Sequence, residues 1–171
     1  RMMNNKVVKH KCNRDAFVSG SYLSQPLTSS SGSSGSGDVT VATSSGDYGV
    51  PAGTSLSVVN GDMTVTTDGT VINGVDLHGY LSIKADNVTV INSVIRGGAT
   101  ATSTKAVIMA WWGAKNLTVT NSTLVAEHPS LHIDGLSGSG FTATNLDIHG
   151  VVDAVKVIGG NVTLRSSYLH D

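Results

Sequence analysis

The sequence predicts an all-β chain wound as a parallel β-solenoid, and three observations support this prediction. Short β-type phrases recur with a period of roughly 20 to 30 residues, which is typical of a solenoid. Gly supplies 20 of the 171 residues and charged residues only 13 %, which favours strands joined by many turns over long helices. Aromatic residues make up 5 % of the chain, so Val, Ile and Leu must form most of the core.

The recurring phrase carries Asn near its middle, as in TVINGVDLHG, VTVINSVIRG, LTVTNSTL and FTATNLDIHG. Aligned without gaps, the phrases place in one column Asn73, Asn92, Asn121, Asn145 and Ser166. The residue two positions earlier, beginning with Val71, is expected to face inward. Asn side chains at the same turn of stacked rungs can form a hydrogen-bonded ladder. The repeated Asn is therefore predicted to be a structural ladder (Asn73, Asn92, Asn121 and Asn145) rather than a catalytic group.

A second set of strands is predicted between these phrases. The alternating segments are LSIKA (81–85), AVIMA (106–110), LHIDG (131–135) and AVKVI (154–158). Their period of two indicates one inward and one outward face. Each rung therefore contains about three short strands. Gly residues fall at the turns between them, some of which need a positive φ that Gly adopts at low cost.

The N-terminal part differs from the solenoid in charge and composition. Residues 1–37 carry a net charge of +4 and the remainder a net charge of −5. We predict a basic arm (1–27), a Ser/Gly-rich linker (28–47) and the solenoid (48–171). The arm is expected to anchor the chain on an acidic partner through charged and apolar side chains. These are Lys6, Lys9, Lys11, Arg14, Phe17, Tyr22 and Leu23.

Several classes of protein are disfavoured by the composition. No run approaches the roughly 18 apolar residues that a membrane span requires. The arm lacks both a known nucleic-acid-binding motif and interleaved aromatic residues, which argues against a nucleic-acid partner. A single cysteine, Cys12, cannot form an intramolecular disulfide framework.

The stretch from Tyr48, YGVPAGTSLSVVNGDMTVTTDGTVINGVDLHGYLSIKADNVTVINSVIRGG, resembles the opening rungs of the pectate-lyase-like superfamily. The resemblance extends over residues 48–171 and is greatest to actinobacterial and actinophage members of the minor tail or tail-spike type. It implies a right-handed parallel β-helix and a homo-oligomer, a trimer in many projecting phage proteins. Members normally continue through further rungs, so residues 48–171 are expected to be the first rungs of a longer helix.

Two outward-facing columns carry the candidate site residues. The first follows the apolar residue after each Asn and contains His78, Arg96, Val125, His149 and His170, with Asp76 and Asp147 close by. The second lies on the other set of strands and contains Ser82, Lys84, His132, Asp134 and Lys156, with Asp153 nearby. The first column is interpreted as a polar stripe at turn corners, and a glycan-contacting face is the alternative.

Catalytic chemistry on these columns would need particular groups. A lyase needs a base, usually Arg or Lys, and Ca²⁺ held by carboxylates, whereas a hydrolase needs two carboxylates about 5 to 10 Å apart. The candidates are Asp134, Asp153, Lys156 and His149, but none belongs to a dense acidic cluster. His132 and Asp134 are too few ligands for a metal site. No cofactor is therefore expected, apart from Ca²⁺ if the chain is a lyase.

Trp111 and Trp112 lie in the longest interval of the repeat and are expected on a protruding loop. One Trp of such a pair is expected to pack down while the other points outward. An exposed Trp can stack on a sugar ring or bury against a neighbouring subunit, and both readings stay open.

The favoured hypothesis is a structural or adhesive component of a phage-like virion, such as a minor tail, fibre or decoration protein. Residues 1–37 would dock on other virion proteins, and the β-helix would project outward and contact a host-surface polysaccharide. The alternative is a secreted polysaccharide lyase or glycoside hydrolase of the same superfamily.

Overall fold

The computed structural model describes residues 48–171, so the predicted arm and linker lie outside the described residues. The described part is all-β and contains no helix. Its strands are β1 (Ser57–Asn60), β2 (Met63–Val65), β3 (Val71–Asn73), β4 (Val75–His78), β5 (Leu81–Ile83), β6 (Thr89–Ile91), β7 (Val94–Ile95), β8 (Lys105–Ala110), β9 (Leu117–Val125), β10 (Ile133–Gly138), β11 (Phe141–His149), β12 (Val155–Val157), β13 (Thr163–Arg165) and β14 (Tyr168–Leu169).

Parallel pairing between successive rungs builds two sheets around one core. Face 1 is the five-stranded sheet, in the order β12-β10-β8-β5-β2. The nine-stranded sheet changes direction within β9 and β11 and so forms two faces. Face 2 contains β3, β6, the first halves of β9 and β11, and β13, whereas face 3 contains β1, β4, β7, the second halves and β14. The predicted parallel, solenoid-like architecture is confirmed.

The corner between faces 2 and 3 is a column of residues with positive φ. Its members are Gly74, Asn92, Asn121, Asn145 and Ser166. Strand pairing places Asn73 opposite Ile91, so the first member of the column is Gly74, one residue later than predicted. The prediction for Val71 was wrong for the same reason, because Val71 is 63 % exposed and Ile72 is the buried residue at 7 %.

The Asn ladder itself is present along this corner. The Nδ2 of Asn92 donates to Oδ1 of Asn73 (3.2 Å), that of Asn121 to Asn92 (3.5 Å), and that of Asn145 to Asn121 (2.8 Å). Asn73 therefore ends the ladder through its side chain, although its backbone lies outside the column. Positive φ also reverses which side of the chain faces inward, so that one nine-residue strand supplies both faces.

A serine follows the corner and forms a second set of contacts between rungs. Ser93 and Ser122 are fully buried. The hydroxyl of Ser93 donates to the carbonyl of Ile91 (2.8 Å) and accepts from the backbone N–H of Val75 in the preceding rung (3.1 Å). The backbone N–H of Ser93 donates in turn to the hydroxyl of Ser122 (3.2 Å). The repeated Asn-Ser pair thus provides hydrogen-bond partners for backbone groups that cannot pair with a neighbouring strand at the bend.

The corner between faces 1 and 2 is a second positive-φ column that the sequence alignment did not identify as such. It contains Gly69, Asn87, Asn116, Gly140 and Asn161. The Nδ2 of Asn116 donates to Oδ1 of Asn87 at 3.0 Å. These Asn residues hold turn conformations that Asn tolerates better than most other side chains.

Two predicted details of the rungs differ in the structure. The extra residues of the longest interval lie mainly between β7 and β8, since Leu77 pairs with Ile95 while Leu81 pairs with Ile108. The Trp pair instead lies in a short turn directly after β8. The strand predicted at 131–135 begins later, at Ile133, and Leu131 is 88 % exposed. Residues 139 and 140 follow this strand as a turn into β11.

The core between the three faces is mainly aliphatic, as the composition predicts, and Phe141 and Tyr80 are its buried aromatic members. Fully buried positions include Leu77, Ile95, Leu124 and Ile148, which stack in one column at the inner side of face 3. Such columns bury each apolar side chain against its equivalents in the neighbouring rungs. In the described residues no helix is long and apolar enough to cross a membrane.

Candidate functional site

The outer side of face 3 carries two adjacent columns of mostly polar side chains. The register places in one column His78, Arg96, Val125, His149 and His170. The neighbouring column contains Asp76, Val94, Thr123, Asp147 and Tyr168. The sequence spacing had placed the first set in one column, and the pairing agrees. Because alternate residues of each strand point inward, all these side chains lie on one surface.

The first cluster on this surface contains Asp76, His78, Arg96 and Glu127. Nε and Nη2 of Arg96 donate to the two carboxylate oxygens of Asp76 at 2.6 and 3.0 Å, which is bidentate geometry. Nδ1 of His78 lies 2.9 Å from Oε2 of Glu127. The side-chain hydrogen bond to Asp76 raises the pKa of Arg96 above its usual value, and the negative charges of Asp76 and Glu127 act in the same direction. Arg96 is therefore held firmly in its charged form.

The second cluster contains Asp147, His149 and His170. Nε2 of His170 lies 2.9 Å from Oδ1 of Asp147 and forms a hydrogen bond with it. Nδ1 of His149 lies 3.4 Å from the same oxygen, but the orientation does not produce a hydrogen bond. The two imidazole rings are stacked, with centroids 4.9 Å apart. One carboxylate oxygen and two imidazole nitrogens thus lie close together at the surface.

Tyr48 and Gly49, the first two described residues, pack beside the second cluster. Sequence analysis did not predict this contact. The backbone N–H of Gly49 donates to the carbonyl of Asn145 at 3.2 Å, and the ring of Tyr48 stacks on Tyr168 at 5.8 Å. A Cβ on Gly49 would lie 2.8 Å from Cβ of Asp147, so this close approach requires glycine. The contact joins residues about a hundred positions apart, and no local sequence pattern predicts it.

Lys156 joins two carboxylates on the outer side of face 1. Its ammonium donates to Oδ2 of Asp134 at 3.0 Å and lies 3.8 Å from Oδ2 of Asp153. Asp134 is only 4 % exposed, although it was expected to point freely outward. The hydrogen bond to Asp134 raises the pKa of Lys156 above its usual value, with added attraction from both carboxylates. Of the other residues in this predicted column, Lys84 lies over the ring of Trp111 and His132 precedes the strand.

A cleft at the corner between faces 1 and 2 is formed around the two tryptophans. Trp112 is 94 % exposed and Trp111 is 48 % exposed. The Nζ of Lys84 lies 5.0 Å from the ring centroid of Trp111, within the range of a cation–π contact. The cleft has a volume of about 500 Å³. Its other lining residues include Met109, Ile158 and the glycines 138, 159 and 160.

The chemistry of this cleft is apolar and aromatic. Every residue that lines it lacks a titratable side chain. Glycines leave the backbone open to close approach by a ligand, while the indole rings provide flat apolar surfaces. Such a cleft can bind a ring with an apolar face.

Comparisons with known protein families, with curated proteins and with solved structures return no match to this chain. The predicted anchor residues Lys6, Lys9, Lys11, Arg14, Phe17, Tyr22 and Leu23 lie outside the described residues.

Proposed function

We propose that this chain is an adhesive, right-handed parallel β-helix protein of the pectate-lyase-like superfamily, and that its Trp cleft binds a surface polysaccharide. We further propose that the chain forms a homo-oligomer and is a minor tail, fibre or decoration protein of a phage-like virion. The superfamily assignment rests on the quoted stretch from Tyr48 to Gly98.

The observation that carries the adhesive role is the exposed Trp112 at the edge of the apolar cleft. Leaving so large an apolar ring in water is unfavourable, and exposed apolar patches commonly mark binding surfaces. The C–H face of a pyranose ring can stack on an indole, while its hydroxyl groups remain in water. A polysaccharide also offers repeated rings, so several copies of the chain could bind one polymer with higher avidity.

The lyase alternative receives less support from the candidate bases. A base that removes a proton at neutral pH works best with a pKa near the working pH. For both Lys156 and Arg96, the hydrogen bond to a neighbouring Asp raises the pKa instead. These two cations are therefore poorly suited to proton abstraction and serve better as partners for buried or crowded carboxylates.

Replacing Trp112 with alanine should weaken glycan binding by about ten- to thirty-fold, since truncating a central aromatic contact typically costs about 2 kcal/mol. Surface glycans that bind the native protein can be identified on an array, and their affinities measured by titration calorimetry. Leu131→Ala is the matched control, because Leu131 is another strongly exposed apolar side chain away from the cleft. Equal affinity of Trp112→Ala and the native protein would contradict the proposal.

Deleting residues 1–37 should leave the β-structure intact and abolish incorporation into the particle. The expected reason is that the basic arm supplies the docking contacts, whereas the core lies within residues 48–171. Co-sedimentation with particles measures incorporation, and circular dichroism measures folding. Deleting residues 28–37 alone serves as the control, since it shortens the linker and keeps the arm. Normal incorporation of the chain that lacks 1–37 would eliminate the anchoring role.

A further inference from the structure

We infer that Asp147, His149 and His170 form a binding site for a divalent first-row transition-metal ion such as Zn²⁺. One ligand atom from each residue lies within 4.8 Å of the other two. The distances from Oδ1 of Asp147 to the two histidine nitrogens are 2.9 and 3.4 Å. Two ligands that bind a tetrahedral Zn²⁺ at 2.0–2.1 Å lie about 3.3 Å apart. Small side-chain rotations are therefore enough to bring the three atoms into a coordination sphere.

The state of His149 is the second observation that supports this site. Its Nδ1 is buried and has no hydrogen-bond partner, although a carboxylate oxygen lies nearby. A buried polar atom without a partner costs about 1–3 kcal/mol, so such atoms are rare and call for an explanation. Coordination of an ion by the lone pair of Nδ1 would satisfy this atom. Nδ1 of His149 lies 3.4 Å from Oδ1 of Asp147, the same oxygen that His170 contacts.

The surrounding aromatic rings hold the ligands in place. His170 lies between two rings, with its centroid 4.9 Å from that of His149 and 4.3 Å from that of Tyr168. Tyr48 in turn stacks on Tyr168. A stack of this kind restricts the imidazole rotamers before an ion arrives, which reduces the entropy lost on binding. The three ligand side chains are between 24 and 32 % exposed, so an ion can enter from solvent.

The choice of ion follows from the ligand atoms. Ca²⁺ and Mg²⁺ prefer oxygen ligands, whereas imidazole suits Zn²⁺, Ni²⁺, Cu²⁺ and Fe²⁺. Two histidines and one carboxylate thus favour a transition metal. Three protein ligands also leave at least one coordination position for water or a ligand oxygen.

The first cluster on the same face provides an internal comparison. Asp76, His78 and Arg96 occupy the same solenoid positions as Asp147, His149 and His170. Arg96 forms the bidentate pair with Asp76, and a guanidinium has donors but no lone pair for a metal. The residue at this one position therefore distinguishes the two clusters. Arginine pairs with the aspartate in the first cluster, whereas histidine in the second offers a lone pair to a metal.

The test is a titration of the full chain, freed of metal with a chelator, with Co²⁺ and then Zn²⁺ at pH 7.5. We expect one Co²⁺ per chain, a visible absorption band typical of nitrogen and oxygen ligands, and displacement of that band by Zn²⁺. His170→Arg reproduces the residue of the first cluster, so it should fold normally and weaken Zn²⁺ binding by at least about tenfold. His149→Gln should do the same and provides a second variant if the first fails to fold. His78→Ala is the control and should bind as the native chain does.

The reciprocal variant Arg96→His should gain a second site, because it gives the first cluster the same three ligand types. Two Co²⁺ ions per chain would then be expected. Absence of a Co²⁺ band in the native chain would overturn the inference, and so would equal Zn²⁺ affinity of His170→Arg and the native chain. Metal binding is independent of the Trp cleft, so a failed glycan experiment would leave this result unaffected.

Discussion

Replacing Gly138 with alanine is expected to lower the free energy of unfolding by about 3 to 5 kcal/mol, because two costs combine. Gly138 ends β10, in which all six residues are buried. A Cβ at this position would overlap the carbonyl oxygen of Ala110 and lie 2.6 Å from its Cβ. The φ of +142° is also a conformation that L side chains rarely adopt. Neither atom of Ala110 can move away easily, since β8 is held in the same sheet by β5 and β10.

Urea unfolding followed by circular dichroism measures this effect. Gly160→Ala is the matched control, because Gly160 lines the same cleft but has open space around its Cβ position. We expect its midpoint to stay near that of the native protein. An unchanged midpoint for Gly138→Ala would mean that the packing of face 1 is looser than described.

Replacing Asn121 with leucine is the second large expected loss, about 2 to 4 kcal/mol. Asn121 lies in the middle of the ladder, donating to Asn92 at 3.5 Å and accepting from Asn145 at 2.8 Å. Leucine removes both hydrogen bonds, each worth about 0.5–1.5 kcal/mol. It must also adopt a φ of +49°, which costs a residue with a bulky Cβ substituent about 1–2 kcal/mol.

Two further variants separate these contributions. Asn121→Gly removes the ladder contacts but tolerates positive φ, so its loss of unfolding free energy measures the contribution of the ladder hydrogen bonds. Asn161→Leu places leucine at φ +59° on an exposed corner, so its loss measures the backbone strain. The sum of these two losses should approach the loss for Asn121→Leu. A negligible loss for Asn121→Gly would argue that the ladder contributes nothing to stability.

The sequence predicted the Asn column well because each rung repeats the same backbone conformation. Its error at the first rung also has a physical cause. Asn73 and Gly74 are adjacent, and both residue types accept positive φ, so composition alone does not say which one occupies the corner. A signal was nevertheless available. Only with Gly74 in the column does an apolar residue, Leu or Ile, always follow three positions later, at Leu77, Ile95, Leu124, Ile148 and Leu169.

The second cluster was harder to predict. Sequence spacing placed His149 and His170 in one column, with Asp147 next to it, but no metal site was expected. Recognition of the cluster required the register of β11 with β14 and the rotamers set by Tyr168. The hydrogen bond between Asp134 and Lys156 likewise joins residues of neighbouring rungs. Contacts of this kind arise from rung stacking and side-chain orientation, which local patterns do not encode.

Parallel stacking of the rungs also determines how the described body carries mechanical load. The backbone hydrogen bonds between rungs point along the solenoid axis, because each strand pairs with its equivalent in the next rung. Tension along that axis loads the rungs in series, so the weakest rung separates first and the body peels apart stepwise. A sideways pull along the strands instead shears all the bonds of a face together. A body with this architecture resists lateral drag better than axial stretching.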